Sequence, residues 1–393
     1  MRDVYIVSAC RTAIGDFGGA FKGQTAVDLA AAVIKEALTR AGNPAVDQID
    51  DVVFGCCIQN FNRLVTARLA GLKAGLPVTV PGTTIQRNCV SAMQAVVYGI
   101  RTIQFGDAEI IVAGGTEAMS DAPYFVDGAR WGLRLQSTKF QDGVMEALTD
   151  AWSGLIMGMT AENLADKYSI SRQEQDEVAL RSHNNAEAAI TAGRFKDEIV
   201  PYEVPQRKAD PKLVDTDEHP RFGLTMADLA RLKPAFKKDG TVTAGNSSGI
   251  NDGAAAVVLM SEDKAKELGV KPMARMIAQA VAGVEPELMG YGPVPATKTA
   301  LKRAGMDLKD IELIECNEAF AAQYLACERL IGWDRDIVNV NGSGIGLGHP
   351  VGCTGTRIVI SLLYEMARRD LTIGLATACV GGGMGQTSIW ERL

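Results

Sequence analysis

Short runs of consecutive apolar residues recur along the chain, separated by stretches with helical spacing. Six of them read as strands: 4–9, 52–57, 110–113, 255–260, 311–314 and 375–379. Runs that are apolar at every position belong to a sheet covered on both faces, and their alternation with helical patterns predicts an α/β fold. Residues 90–103 and 357–366 carry the two most apolar helical patterns, and each leads into a strand that ends in small residues.

Sliding the sequence along itself by 260 positions lays residues 51–57 over 311–317 and Cys89 over His349. Each of these two residues opens one of the apolar helices. Two similar α/β halves in succession account for that match. Residues 120–249 differ in character, with a polar helical stretch at 171–192, a charged Pro-containing run at 201–221 and Gly, Asn and Ser punctuation at 240–253. The predicted organisation is a first half of 1–119 plus 250–270, an inserted loop domain of 120–249 and a second half of 271–393. Insertions of this size on a rigid α/β scaffold build binding surfaces or lids.

Composition narrows the function. A chain of 393 residues that is 47% hydrophobic buries large cores, and a formal charge of −7 gives no overall attraction to nucleic acid or anionic membrane. No run approaches the roughly 18 apolar residues of a spanning helix. Met1-Arg2-Asp3 leads straight into the first strand with no signal or transit pattern, which predicts a cytoplasmic protein. Eight cysteines without a C-x-x-C pair, accompanied by three histidines, predict reduced thiols with no metal site.

Three segments carry candidate chemistry. Cys89 lies in Arg87-Asn88-Cys89-Val90-Ser91, a polar turn entering an Ala-containing helix, where exposed N–H groups would stabilise a thiolate. The alternative is a small buried hydrophobe. His349 lies in Gly348-His349-Pro350-Val351-Gly352, projecting from a rigid turn crowded with glycines. Cys379 ends a strand and is followed by Gly381-Gly382-Gly383, whose backbone N–H groups suit an oxyanion hole. His183 and His219 read as structural histidines.

Asn88-Cys89-x-Ser91, Cys316-Asn317-Glu318-Ala319-Phe320, Gly348-His349-Pro350-x-Gly352-Cys353-x-Gly355 and Cys379-x-Gly381-Gly382-Gly383-Met384-Gly385 together resemble the thiolase family in identity, order and spacing, over essentially the whole chain. Within that family the chain is most similar to short-chain, acetoacetyl-CoA-forming members. The resemblance implies a duplicated five-layer α/β/α/β/α core. It implies an acyl-enzyme on Cys89, His349 as its proton acceptor, Cys379 as the base for a second substrate, and Asn317 positioning a water beside His349. The oxyanion hole would use Cys89, Gly381, His349 and Asn317. Arg221 and Ser248 would hold coenzyme A, with Met157, Phe236 and Met289 shaping the acyl pocket. The substrates would be acetyl-CoA, acetoacetyl-CoA and CoA, with no separate cofactor or metal, and the assembly a homotetramer built as a dimer of dimers, joined by the segment around 131–142. Ile156, where relatives commonly have His, leaves acyl length open. A broader-chain degradative 3-ketoacyl-CoA thiolase, a ketoacyl synthase and a non-catalytic acyl-CoA-binding relative stand as alternatives.

Overall fold

The structure is a computed structural model that describes residues 2–135 and 137–393. Met1, where the first half was expected to begin, and Gln136, within the segment expected to join dimers, lie outside the described residues.

The first half contains β1 (Val4–Thr12), α1 (Ala26–Arg40), β2 (Asp51–Gly55), β3 (Gly82–Ile85), α2 (Ser91–Phe105) and β4 (Ile110–Ala118). The intervening region adds α3 (Met157–Tyr168) and α4 (Arg172–Thr191). Then follow β5 (Asn251–Ser261), β6 (Ala274–Gly283), α5 (Pro293–Ala304), β7 (Leu313–Cys316), α6 (Ala321–Ile331), α7 (Val351–Arg369), β8 (Ile373–Val380) and β9 (Met384–Arg392). Helix starts follow local chemistry: α1 and α4 open on capping boxes, Thr25 with Asp28 and Ser171 with Glu174, which satisfy otherwise orphaned backbone donors.

The main strands run in the order β7-β8-β9-β6-β1-β5-β4-β2-β3. Outward from the middle, β1-β5-β4-β2 and β6-β9-β8-β7 repeat one pattern. In each, two antiparallel pairings precede a parallel one. The two sets are paired through Tyr5↔Arg275 and Ile6↔Ala274. This repetition bears out the duplication seen as a 260-residue shift. Residues 120–249 add one two-residue strand, Ile199–Val200, to the main sheet, beside β1.

Three apolar cores separate five layers. One lies between α1 and the first half's strands, a second encloses α2 and α7 between the two sets of strands, and a third lies between the second half's strands and α5, α6 and α3. The paired central helices require close backbone approach. A Cβ on Gly115 would stand 2.2 Å from the Gly352 carbonyl oxygen and 2.5 Å from Ala92 Cβ, so glycine there lets both helix entrances settle on β4. Cys89 precedes α2 and His349 precedes α7, and the turn bearing Cys89 packs against α7.

Candidate active site

Cys89 lies in a single 3-10 turn, Asn88–Val90, immediately before α2. Asn88 takes a left-handed conformation (φ 40°), and its side-chain amide donates to the Gly381 carbonyl at 2.8 Å. That bond fixes the nucleophile turn of the first half against the glycine turn of the second. The backbone N–H groups of Gly381 and of Cys89 itself reach the Cys89 sulfur. Burial nevertheless raises the thiol above its ordinary range, and the two donors only partly oppose it. The N–H groups at the helix entrance favour the thiolate, as expected, while burial opposes it.

His349 is 6% exposed and held on three sides. Its backbone N–H donates to Asn251 Oδ1 at 2.8 Å, Nδ1 lies 2.6 Å from Thr354 Oγ1, and Nε2 lies 3.4 Å from Asn317 Nδ2. Burial, aided by the charge of Arg357, pushes the ring down to about 3, so it is a neutral imidazole at physiological pH. Asn317 is fully buried, and its N–H donates to Thr377 at 2.9 Å. Its Oδ1 makes no hydrogen bond among the described residues.

Glu117 on β4 explains why the turn before α7 stays in place. Its carboxylate accepts the N–H groups of Cys57 (3.0 Å), Ile58 (3.1 Å) and Gly352 (2.8 Å), pinning the C-terminal half to the loop after β2. Burial raises this acid to about 7 despite those three donors.

Cys379 ends β8, fully buried, and the turn Gly381-Gly382-Gly383 leads into β9. Burial raises its thiol strongly, and the neighbouring Cys89 adds to the shift because two thiolates side by side repel. Cys89, Cys379 and Gly381 thus meet across the two halves, and His349 and Asn317 form a second buried pair beside α7.

The predicted binding residues fall into two groups. Arg221 lines a cleft of about 160 Å³ together with His183, His219, Asp228, Leu232 and Ser247. Ser248 is half-buried next to this cleft, its N–H donating to Ala319 at 2.9 Å. Met157 and Phe236 are half-buried against the third core, which contains Met289 at 2% exposure. A Cβ on Gly381 would stand 3.4 Å from Met157 Sδ, so that thioether faces the glycine turn, whereas Met289 supports the wall from behind. Phe236 meets Phe320 edge to face at 6.2 Å.

His183 and His219, read from sequence as structural, both face the cleft. His183 Nδ1 accepts the Arg221 N–H at 3.2 Å, and His219 Nδ1 pairs with Asp16 at 2.5 Å. Neither lies in one of the four motifs, and the one available signal was the closeness of His219 to Arg221 in sequence. Asn251, Glu117 and Thr354 were also missed, being ordinary polar residues until their partners are known. No group of three or more His, Cys, Asp or Glu among the described residues is arranged to hold a metal ion.

The chain matches the thiolase N-terminal domain over residues 4–263 and the thiolase C-terminal domain over residues 270–392. It is 53% identical to an acetyl-CoA acetyltransferase of Pseudomonas aeruginosa over 386 residues, 98% of each chain. The crystal structure of the Bacillus anthracis acetyl-CoA acetyltransferase superposes with a TM-score of 0.98 at 52% identity, covering 100% of this chain and 99% of that one. Human mitochondrial 3-ketoacyl-CoA thiolase in complex with CoA superposes at 0.96 and 44% identity, covering 100% and 98%.

Proposed function

The chain belongs to the thiolase family, and from that premise we propose how its residues divide the work of condensing two acetyl-CoA into acetoacetyl-CoA and CoA. The enzyme is an acetyl-CoA acetyltransferase, acting through thiolase catalysis that runs in either direction. The assignment is supported by the closeness of Cys379 to Cys89 and by the places of Cys89 and His349 at the entrances of the two packed central helices.

His349 Nε2 takes the Cys89 proton as sulfur attacks the thioester carbonyl of the first acetyl-CoA. The N–H groups of Cys89 and Gly381 hold the tetrahedral oxyanion, and removing one such donor typically costs about 3 kcal/mol. Coenzyme A leaves with the proton of Cys379. The site then holds acetyl-Cys89, an imidazolium and a Cys379 thiolate. Once Cys89 is acylated it cannot ionise, so no second thiolate opposes that of Cys379. Cys379 removes the α proton of the second acetyl-CoA, and the enolate oxygen is held by His349, with Asn317 directed at the same nitrogen. The enolate attacks the acetyl carbonyl, the Cys89 sulfur departs with the His349 proton, and each group returns to its starting state.

The cleft bearing Arg221 and Ser247 takes the coenzyme, with Ser248 beside its pantetheine arm and Met157 and Phe236 closing the acyl end over supporting Met289. The division into 1–119 plus 250–270, 120–249 and 271–393 is supported by the repeated strand pattern. Trp131 and Leu135, 87% and 90% exposed, favour a homotetramer joined through their segment; a monomeric mass by light scattering would contradict it. Eight unpaired cysteines favour a cytoplasmic setting, and import-free activity in fractionated cytosol tests it. No described helix is long and apolar enough to cross a membrane. The Cys89→Ala variant is expected to lose both acetyl transfer and acetoacetyl-CoA cleavage; retained cleavage would refute the assignment.

A further inference from the structure

We propose that Thr354 is a positioning residue that fixes the proton of neutral His349 on Nδ1 and so leaves Nε2 free to accept the proton of Cys89. This rests on the reading of His349 as the proton acceptor. A neutral imidazole carries one N–H and one lone pair, and only the nitrogen with the lone pair is a base. Which nitrogen is which is decided by what surrounds the ring.

Thr354 Oγ1 lies 2.6 Å from Nδ1 and 2.9 Å from the carbonyl oxygen of Pro350. The second contact is the back-bond that Thr makes to the carbonyl four residues earlier in a helix. It is reinforced here because the Thr354 backbone N–H donates to the same oxygen at 3.0 Å. A hydroxyl has a single hydrogen. With that hydrogen on Pro350, the oxygen can only accept from His349, and the ring proton must sit on Nδ1.

The opposite side of the ring agrees. Nε2 faces the Nδ2 donor of Asn317 at 3.4 Å, an arrangement that suits a lone pair. Thr354 and Thr356 are both fully buried, as is the ring's surrounding shell, so bulk water does not compete for Nδ1. The His349 backbone is held independently by Asn251 at 2.8 Å, so loss of the Thr354 hydroxyl should release the tautomer without releasing the turn.

The chain has three histidines, which makes the tautomer directly observable by nitrogen-15 NMR of histidine-labelled full-length enzyme, with His183→Asn and His219→Asn variants assigning the rings. The expected wild-type spectrum shows a pyrrole-like Nδ1 and a pyridine-like Nε2 for His349. Thr354→Val is expected to lose that pattern and to acetylate Cys89 about a hundredfold more slowly, the low end of what a general base contributes, with KM for acetyl-CoA little changed; Thr354→Ser is expected to restore both. A wild-type ring protonated on Nε2, or a Thr354→Val enzyme acetylating at the wild-type rate, would overturn the proposal. If Thr354→Val does not fold, the wild-type spectrum alone decides. Acetylation surviving in His349→Ala would instead sink the reading of His349, so the two failures are distinct.

Discussion

The backbone N–H of His349 donates to the side-chain oxygen of Asn251 at 2.8 Å, across the boundary between the two halves. The amide nitrogen of Asn251 reaches the Gly15 carbonyl at 3.1 Å and Asp16 Oδ1 at 3.2 Å, and Asp16 in turn holds His219 in the coenzyme cleft. One buried amide therefore links the His349 turn to the wall of the cleft lined by Arg221. Asn251→Ala removes the partner of the buried His349 backbone donor and of the Gly15 carbonyl, a loss worth about 1–3 kcal/mol for each unsatisfied group. The variant is expected to unfold at lower temperature and to show a lower kcat. Thermal unfolding with steady-state kinetics checks this, and an unchanged kcat would contradict it.

The burial that raises the Cys89 thiol gives a defined pH dependence. Below its pKa the thiolate fraction grows about tenfold per pH unit. Iodoacetamide labelling of Cys89 in the free enzyme is expected to accelerate steadily across neutral pH and beyond. A plateau already reached by neutral pH would show a preformed thiolate.

Arg221 is the cation placed in the cleft. A hydrogen bond to a charged group contributes about 1.5–3 kcal/mol, so Arg221→Ala is expected to raise KM for acetyl-CoA by at least about tenfold. Acetyl-pantetheine, which lacks the nucleotide, should show no such change. Equal loss with both substrates would place Arg221 elsewhere.

Phe236 packs flat on Gly158, where a Cβ would come within 2.4 Å of its ring, and edge-on to Phe320. In the proposed function it closes the acyl end together with Met157. Phe236→Ala is expected to raise kcat/KM for six- and eight-carbon 3-ketoacyl-CoA relative to acetoacetyl-CoA by at least about tenfold, since pocket discrimination runs near 1–3 kcal/mol per methylene. An unchanged ratio would show that another wall sets chain length.

The parts of this fold that could be read beforehand are those built from apolar runs. Strands β1, β2, β4, β5, β7 and β8 coincide with such runs, and the shift that lays Cys89 over His349 reflects the two central helices. By contrast, β9 escaped because its buried middle is Gln386, Thr387 and Ser388, polar residues that only the cross-half packing makes interior. β6 alternates between buried and half-buried positions and lacks a continuous apolar run. The four motif segments located the chemistry, but its state did not follow from them. Whether Cys89 rests as thiol or thiolate depends on burial by residues far away in sequence, and the roles of Asn251, Glu117 and Thr354 depend on partners contributed by other segments.

The central claim is that Cys89 carries the acetyl group between the two substrates. Rapid quenching after mixing with radiolabelled acetyl-CoA, followed by peptide mapping, tests it most directly. Acetyl label is expected on the peptide containing Cys89, accumulating further in Cys379→Ala, where the second substrate cannot be deprotonated, and absent in Cys89→Ala. Label on another residue, or condensation proceeding in Cys89→Ala, would contradict the account.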